Sequence, residues 1–197
     1  MSRPAERGGQ PRATKTSERR TSIVTQRGLL DLQSALLIVL AVLVAYHATF
    51  TVPFLFDDAS ILDTESLHEL SWQTVRGTTR PLVQLSLALN WAVGGARVVG
   101  YHAVNFVVHV LAALTLYGIA ARTLGTTGPA LAIALVWAVH PLATESVTYV
   151  VQRAESLMAL CYLLTLYAVI RGAARAARRR GTLRRSPRAR SACSASR

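Results

Sequence analysis

Two adjacent carboxylates, Asp57 and Asp58, follow the apolar run Val52-Pro53-Phe54-Leu55-Phe56 and form the only neighbouring acidic pair in the chain. They fall just beyond the end of its first long hydrophobic stretch. A charged group inside hydrocarbon is costly, so acidic residues so close to a span tend to be placed for use. Held at a membrane surface, a carboxylate can act as general base toward a hydroxyl, provided its partner positions it. A helix cap ahead of Ala59, or a solvated loop, would use the same residue types. The apolar run that holds the pair against the membrane favours chemistry over capping.

Further polar residues interrupt the apolar background at fixed spacings. They run Arg80-Pro81-Leu82, then Tyr101-His102-x-x-Asn105-x-x-x-His109, then His140-Pro141 with Glu145, Tyr149 and Arg153. His102, Asn105 and His109 are spaced three and four apart and share one helix face. Two histidines flanking an asparagine could suggest a metal, but interhelical hydrogen bonding is the better reading, and no metal is expected. Glu145, Tyr149 and Arg153 also share a face. Glu145 is expected to pair with Arg80 or Arg153.

The composition says what must position these residues. Half of the 197-residue chain is hydrophobic (51%), in clusters rather than in a soluble protein's periodic pattern. The net charge of +12 invites a nucleic-acid reading, but 17 of the 22 basic residues lie in two tails, 1–27 and 171–197. Only Arg76, Arg80, Arg97, Arg122 and Arg153 lie between them. Basic tails flanking apolar spans are a topology signal. No aromatic residue is interleaved with the tail arginines for base stacking, so no nucleic-acid partner is expected. Cys161 and Cys193 form neither a disulfide framework nor a zinc spacing.

The expected fold is all-α and integral to the membrane, with about four transmembrane helices and an outer-loop interfacial helix. Residues 1–27 read as a disordered cytoplasmic arm and 28–172 as the membrane domain. Its spans are expected at about 29–50, 101–122, 129–140 and 146–170, with Pro141 breaking the third. A cleaved signal peptide would need a small-x-small site that does not follow the first span. Residues 51–100 form the outer loop and hold half of the acidic residues. Val83–Trp91 alternates as a strand would, yet its Leu and Ala content favours a helix along the membrane surface. Residues 173–197 read as a basic tail, disordered or out of frame, since arginine outnumbers lysine 21 to 1. With four crossings, the arm, Arg122 and the Arg171–Arg180 cluster fall on one side, which places both termini in the cytoplasm.

Taken together, Phe-Asp-Asp at 56–58, Arg80-Pro81-Leu82, Tyr101-His102-x-x-Asn105-x-x-x-His109 and the run from His140-Pro141-Leu142 through Glu145, Tyr149 and Arg153 resemble the N-terminal part of the GT-C membrane glycosyltransferases. The resemblance covers residues 29 to about 172 in matching order and is nearest to the branch bearing tetratricopeptide repeats, the TMTC protein O-mannosyltransferases. It implies a sugar on a polyprenyl phosphate as donor substrate, no cofactor, and a protein or glycan hydroxyl as acceptor. It implies Asp57 or Asp58 as catalytic base and Arg80 or Arg153 as the cation at the donor phosphate. His102, Asn105, His109, His140 and Glu145 are expected to be structural polar residues. The expected location is the bacterial inner membrane. Members of the family continue into further spans and repeats, so this chain is expected to be a fragment, inactive alone. A non-catalytic membrane subunit and a transporter fragment are the competing readings; the position of the carboxylates outside the span argues against transport, whose sites lie near the midplane.

Overall fold

Within a bilayer an open chain must satisfy its backbone polar groups internally, which makes long apolar runs helical. The computed structural model describes residues 12–54, Asp58 and residues 78–185, and every regular element among them is a helix. In chain order these are α1 (Arg12–Tyr46), a 3-10 turn (His47–Thr51), α2 (Pro81–Gly94), α3 (Val98–Leu124), α4 (Thr127–Ala138), a 3-10 turn (Pro141–Ala143), α5 (Thr144–Thr148) and α6 (Arg153–Arg185). Asp57, Asp63, Glu65, Glu69 and Cys193 lie outside the described residues.

Three stretches are long and apolar enough to cross a membrane. They are Gly28–Thr51, Val98–Leu124 and Arg153–Arg178, with mean hydropathies of 2.3, 1.9 and 1.7. The fourth candidate is a broken one: α4 and the segment Pro141–Thr148 meet at a 55° bend. The 12 residues of α4 reach only about 18 Å at 1.5 Å per residue, short of the ~30 Å hydrocarbon core. Pro141 lacks an N–H and stops the helix. The carbonyls freed at the break find donors elsewhere. His109 Nε2 donates to the Ala138 carbonyl at 2.8 Å, and the Tyr46 hydroxyl reaches the same oxygen at 3.2 Å and that of His140 at 3.4 Å. The His109 ring also stacks on Trp137 and meets Tyr46 edge-on.

Side-chain contacts sort the helix ends into two groups. At one end, Tyr46 of α1 meets the close of α4, and Asn105 near the start of α3 meets Tyr149 and Arg153 at the start of α6. At the other end, the Tyr117 hydroxyl of α3 donates to Asp31 of α1 at 2.8 Å, and Arg122 of α3 lies over the Tyr167 ring of α6. So α1 and α4 run one way, and α3 and α6 run back. The core between them joins Ile38 and Val42 of α1, Val110 and Ala113 of α3, and Ala130, Ala134 and Ala138 of α4. The three alanines, four residues apart and fully buried, let neighbouring backbones approach as small residues do in membrane bundles. Two left-handed positions, Gly95 after α2 and Gly125 after α3, end their helices where a side chain would be strained.

Several boundaries differ from the sequence reading. The arm expected to be disordered through residue 27 is helical from Arg12, and the tail expected to be disordered from 173 continues α6 to Arg185. Once a span has nucleated a helix, each added residue gains a hydrogen bond, and Arg, Ala, Lys and Glu are good helix formers. The last span, expected from 146, begins as a long helix only at Arg153, because the chain turns between α5 and α6. Val83–Trp91 is helical within α2, which starts with Pro81 in its first turn.

Candidate active site

At the end of the bundle where α3 and α6 begin, the Arg153 guanidinium is fully buried. Its donors are taken up by uncharged acceptors on two other helices. Nε donates to Asn105 Oδ1 at 2.8 Å, Nη1 to Asn90 Oδ1 at 2.7 Å and, more weakly, to Ser86 Oγ at 3.5 Å. Nη2 donates to the Tyr101 carbonyl at 2.9 Å, and the guanidinium carbon stands 5.6 Å from the Tyr101 ring centre. Arginine suits such a place because its fixed fork can serve several acceptors at once. The two asparagines are held in turn. Asn105 Nδ2 donates to the Tyr149 carbonyl at 2.9 Å, and Asn90 Nδ2 to the Gly100 carbonyl at 3.0 Å.

The loop leaving α1 is drawn to this network. His102 Nε2 donates to the Val52 carbonyl at 3.0 Å, and the Phe54 ring packs edge-on against Tyr101 at 5.5 Å. Asp58, only 1% exposed, accepts the Val151 amide on Oδ1 at 2.9 Å. That amide lies in the turn just before Arg153, and the Asp58 carboxylate is near enough for its charge to act on the guanidinium. Asp58 Oδ2 is buried and has no hydrogen-bond partner among the described residues. The same holds for His102 Nδ1, which must be an acceptor if Nε2 carries the proton. Among the described residues these two buried acceptors have no donor, and a buried polar group left unpaired is costly.

The structure brings Asp58, His102, Asn105 and Arg153 to this one end. The neighbouring carboxylate, Asp57, lies outside the described residues. His109 serves the break in α4 instead. His140 is exposed and its Nδ1 accepts the Leu142 amide, capping the 3-10 turn. The expected pairing of Glu145 is not what forms. Glu145 is exposed in the first turn of α5, and Arg153 directs its hydrogen bonds to Asn105, Asn90, Ser86 and Tyr101. Neutral oxygens already inside the bundle take up the guanidinium's donors, and the nearby buried carboxylate is Asp58, so Glu145 keeps its contact with water.

Arg80 is also apart from Glu145. It is exposed at the start of α2, at the mouth of a cavity of about 340 Å³ between α2 and α6. That cavity is mostly apolar, lined by Pro81, Leu82, Val83, Leu157, Met158 and Cys161, with Arg80 and Glu155 as its charged members. Sequence reasoning missed Asn90 and Ser86. Their spacing of four residues puts them on one helical face, a signal hidden by reading Val83–Trp91 as an alternation.

No protein-family model matches the chain, and no solved structure matches it. Curated proteins do. The chain is 40% identical over 88 residues to the protein O-mannosyl-transferase Tmtc1 of Drosophila melanogaster, covering 45% of this chain and 10% of that protein. It is 38% identical over 96 residues to Tmtc2 of the same fly, covering 48% and 10%. With the human protein O-mannosyl-transferase TMTC3 it shares 30% identity over 151 residues, covering 68% of this chain and 16% of that protein. The chain therefore spans only between a tenth and about a sixth of the length of these relatives. It is an all-α membrane chain homologous, over that stretch, to the TMTC protein O-mannosyl-transferases.

Proposed function

We propose that this chain forms the catalytic-loop part of a membrane glycosyltransferase that moves a sugar from a polyprenyl phosphate to a hydroxyl of a protein or glycan acceptor on the outer face of the membrane. The observation that carries this reading is Asp58: one carboxylate oxygen is anchored by the Val151 amide while the other is left without a donor among the described residues. A base needs that combination, a fixed orientation and one free lone pair. Asp58, or Asp57 beside it, takes the proton of the acceptor hydroxyl. The acceptor oxygen forms a bond to the anomeric carbon as the bond from that carbon to the phosphate oxygen breaks. The electron pair leaves with the polyprenyl phosphate, and the configuration inverts.

The two arginines divide the remaining work. Arg153 is committed to Asn105, Asn90 and Tyr101, so it acts as a positioning residue that fixes the turn carrying the Val151 amide. Arg80, exposed and lining the largely apolar groove, is proposed as a cation for the donor phosphate, with the groove taking the start of the polyprenyl chain. A fixed cation at the leaving phosphate offsets charge that develops in the transition state.

The test replaces the matching segment of human TMTC3 with residues 29–172 and follows sugar transfer from a synthetic polyprenyl-phosphate donor in membranes. The chimera is expected to transfer, and Arg80→Gln to raise the KM for the donor several-fold with a smaller change in kcat. A chimera that inserts normally and transfers nothing would contradict the proposal.

A further inference from the structure

The far end of the bundle, away from Asp58, carries a basic seam that the transfer reaction does not use. Its base is a cavity of about 420 Å³ where α1, α3 and α6 meet the start of α4, with Asp31, Tyr117, Arg122, Gly125 and Tyr167 in its wall. Arg122 is fixed there. Its guanidinium lies 4.5 Å from the centre of the Tyr167 ring, and its Nη1 donates to the Gly118 carbonyl at 3.3 Å. Gly118 leaves room for the ring, since a Cβ built on it would stand 3.0 Å from Tyr167. Asp31, the acidic member, is engaged by the Tyr117 hydroxyl.

From Tyr167 the seam continues along α6. Arg171, Arg175 and Arg178 follow at spacings of four, four and three residues and are all exposed. At 3.6 residues per turn these four positions fall within about 80° of arc, so the arginines form one stripe rising from the cavity. The apolar part of α6 ends at Ile170. Arg171 therefore sits at the edge of the hydrocarbon, and Arg178 only about 10 Å farther along the axis. That distance is comparable to the ~8–10 Å screening length at physiological salt. Every arginine of the stripe thus lies within reach of a charged membrane surface, and Arg122 lies at its base.

We propose that this seam is a binding site for the headgroup of an anionic phospholipid, seated with its phosphate between Arg122 and Arg171 and its acyl chains along α3 and α6. Charge complementarity selects the occupant: Arg122 and the exposed Arg171 and Arg175 lie along one apolar helix surface, and the carboxylate described in the cavity wall, Asp31, accepts from Tyr117. Basic clusters that directly follow a membrane helix bind anionic lipid on this principle. The proposal is independent of which face of the membrane this end occupies and of the transferase reading.

The full chain in a neutral detergent, titrated with short-chain phosphatidylglycerol or phosphatidylcholine, tests it through the thermal unfolding midpoint. Phosphatidylglycerol should raise the midpoint at a concentration at least about tenfold lower than phosphatidylcholine requires. The triple variant Arg171→Gln, Arg175→Gln, Arg178→Gln should lose that preference. A charge-matched triple in α1, Arg12→Gln, Lys15→Gln, Arg19→Gln, should keep it. Equal responses to the two lipids would overturn the proposal. So would equal losses in the two triple variants, which would mean diffuse charge rather than a site, and so would a shift produced equally well by inorganic phosphate.

Discussion

Arg153 on α6 and Asn105 on α3 are joined by a 2.8 Å hydrogen bond with neither side chain exposed, and the same guanidinium holds Asn90 of α2. One side chain therefore locks three helices around the turn that presents the Val151 amide to Asp58. The bundle and the candidate base depend on a shared group.

Removing that group should be severe. Arg153→Gln strands the acceptors of Asn105, Asn90 and Tyr101 in a buried place, where each unpaired group costs about 1–3 kcal/mol. Unfolding in mixed micelles should show a loss of about 3 kcal/mol or more. Glu145→Gln and Arg80→Gln, both at exposed side chains, should unfold with the parent. A loss for Glu145→Gln equal to that of Arg153→Gln would restore an ion pair between them.

The break in α4 offers a second measurement. Tyr46 and His109 both donate to the Ala138 carbonyl, so each can partly cover for the other. Tyr46→Phe should cost about 1 kcal/mol, in line with one hydrogen bond. A double-mutant cycle with His109→Phe should show that removing both costs more than the sum of the single losses. Strict additivity would show that the carbonyl is not shared.

Topology can be checked directly. In a chain with Cys161 and Cys193 replaced by Ala, single cysteines at Thr126 and Leu142 lie at opposite ends of the bundle, before and after α4. A membrane-impermeant thiol reagent added outside intact cells should label Leu142→Cys and spare Thr126→Cys until the membrane is opened. Labelling of both from outside would remove the four-crossing arrangement.

Much of this was legible in the residues. Apolar runs beside arginine-rich tails gave the membrane class, and Pro141 gave the interruption after α4. The chemistry of position was harder to read. Arg153 looked like a partner for Glu145 because opposite charges are the obvious pairing, whereas the fold supplies neutral oxygens from Asn105, Asn90 and the Tyr101 backbone. A backbone carbonyl carries no sequence signal, and neither does the Val151 amide that holds Asp58. The helical continuations of α1 and α6 were missed because composition scores a charged segment alone, without the span from which it propagates.

If Asp58 is part of the base of a sugar-transfer site, the transfer rate of Asp58→Asn in the TMTC3 chimera shows it most directly. Asparagine keeps the shape and can still accept the Val151 amide, but it removes the basicity. General-base catalysis contributes roughly 10²–10⁴-fold. Asn at Asp58 or at Asp57 should therefore lower kcat by about that factor while membrane insertion is retained. A parental rate in Asp58→Asn would leave Asp58 as a loop anchor for the Val151 amide, and parental rates in both single variants would take the carboxylate pair out of the chemistry altogether.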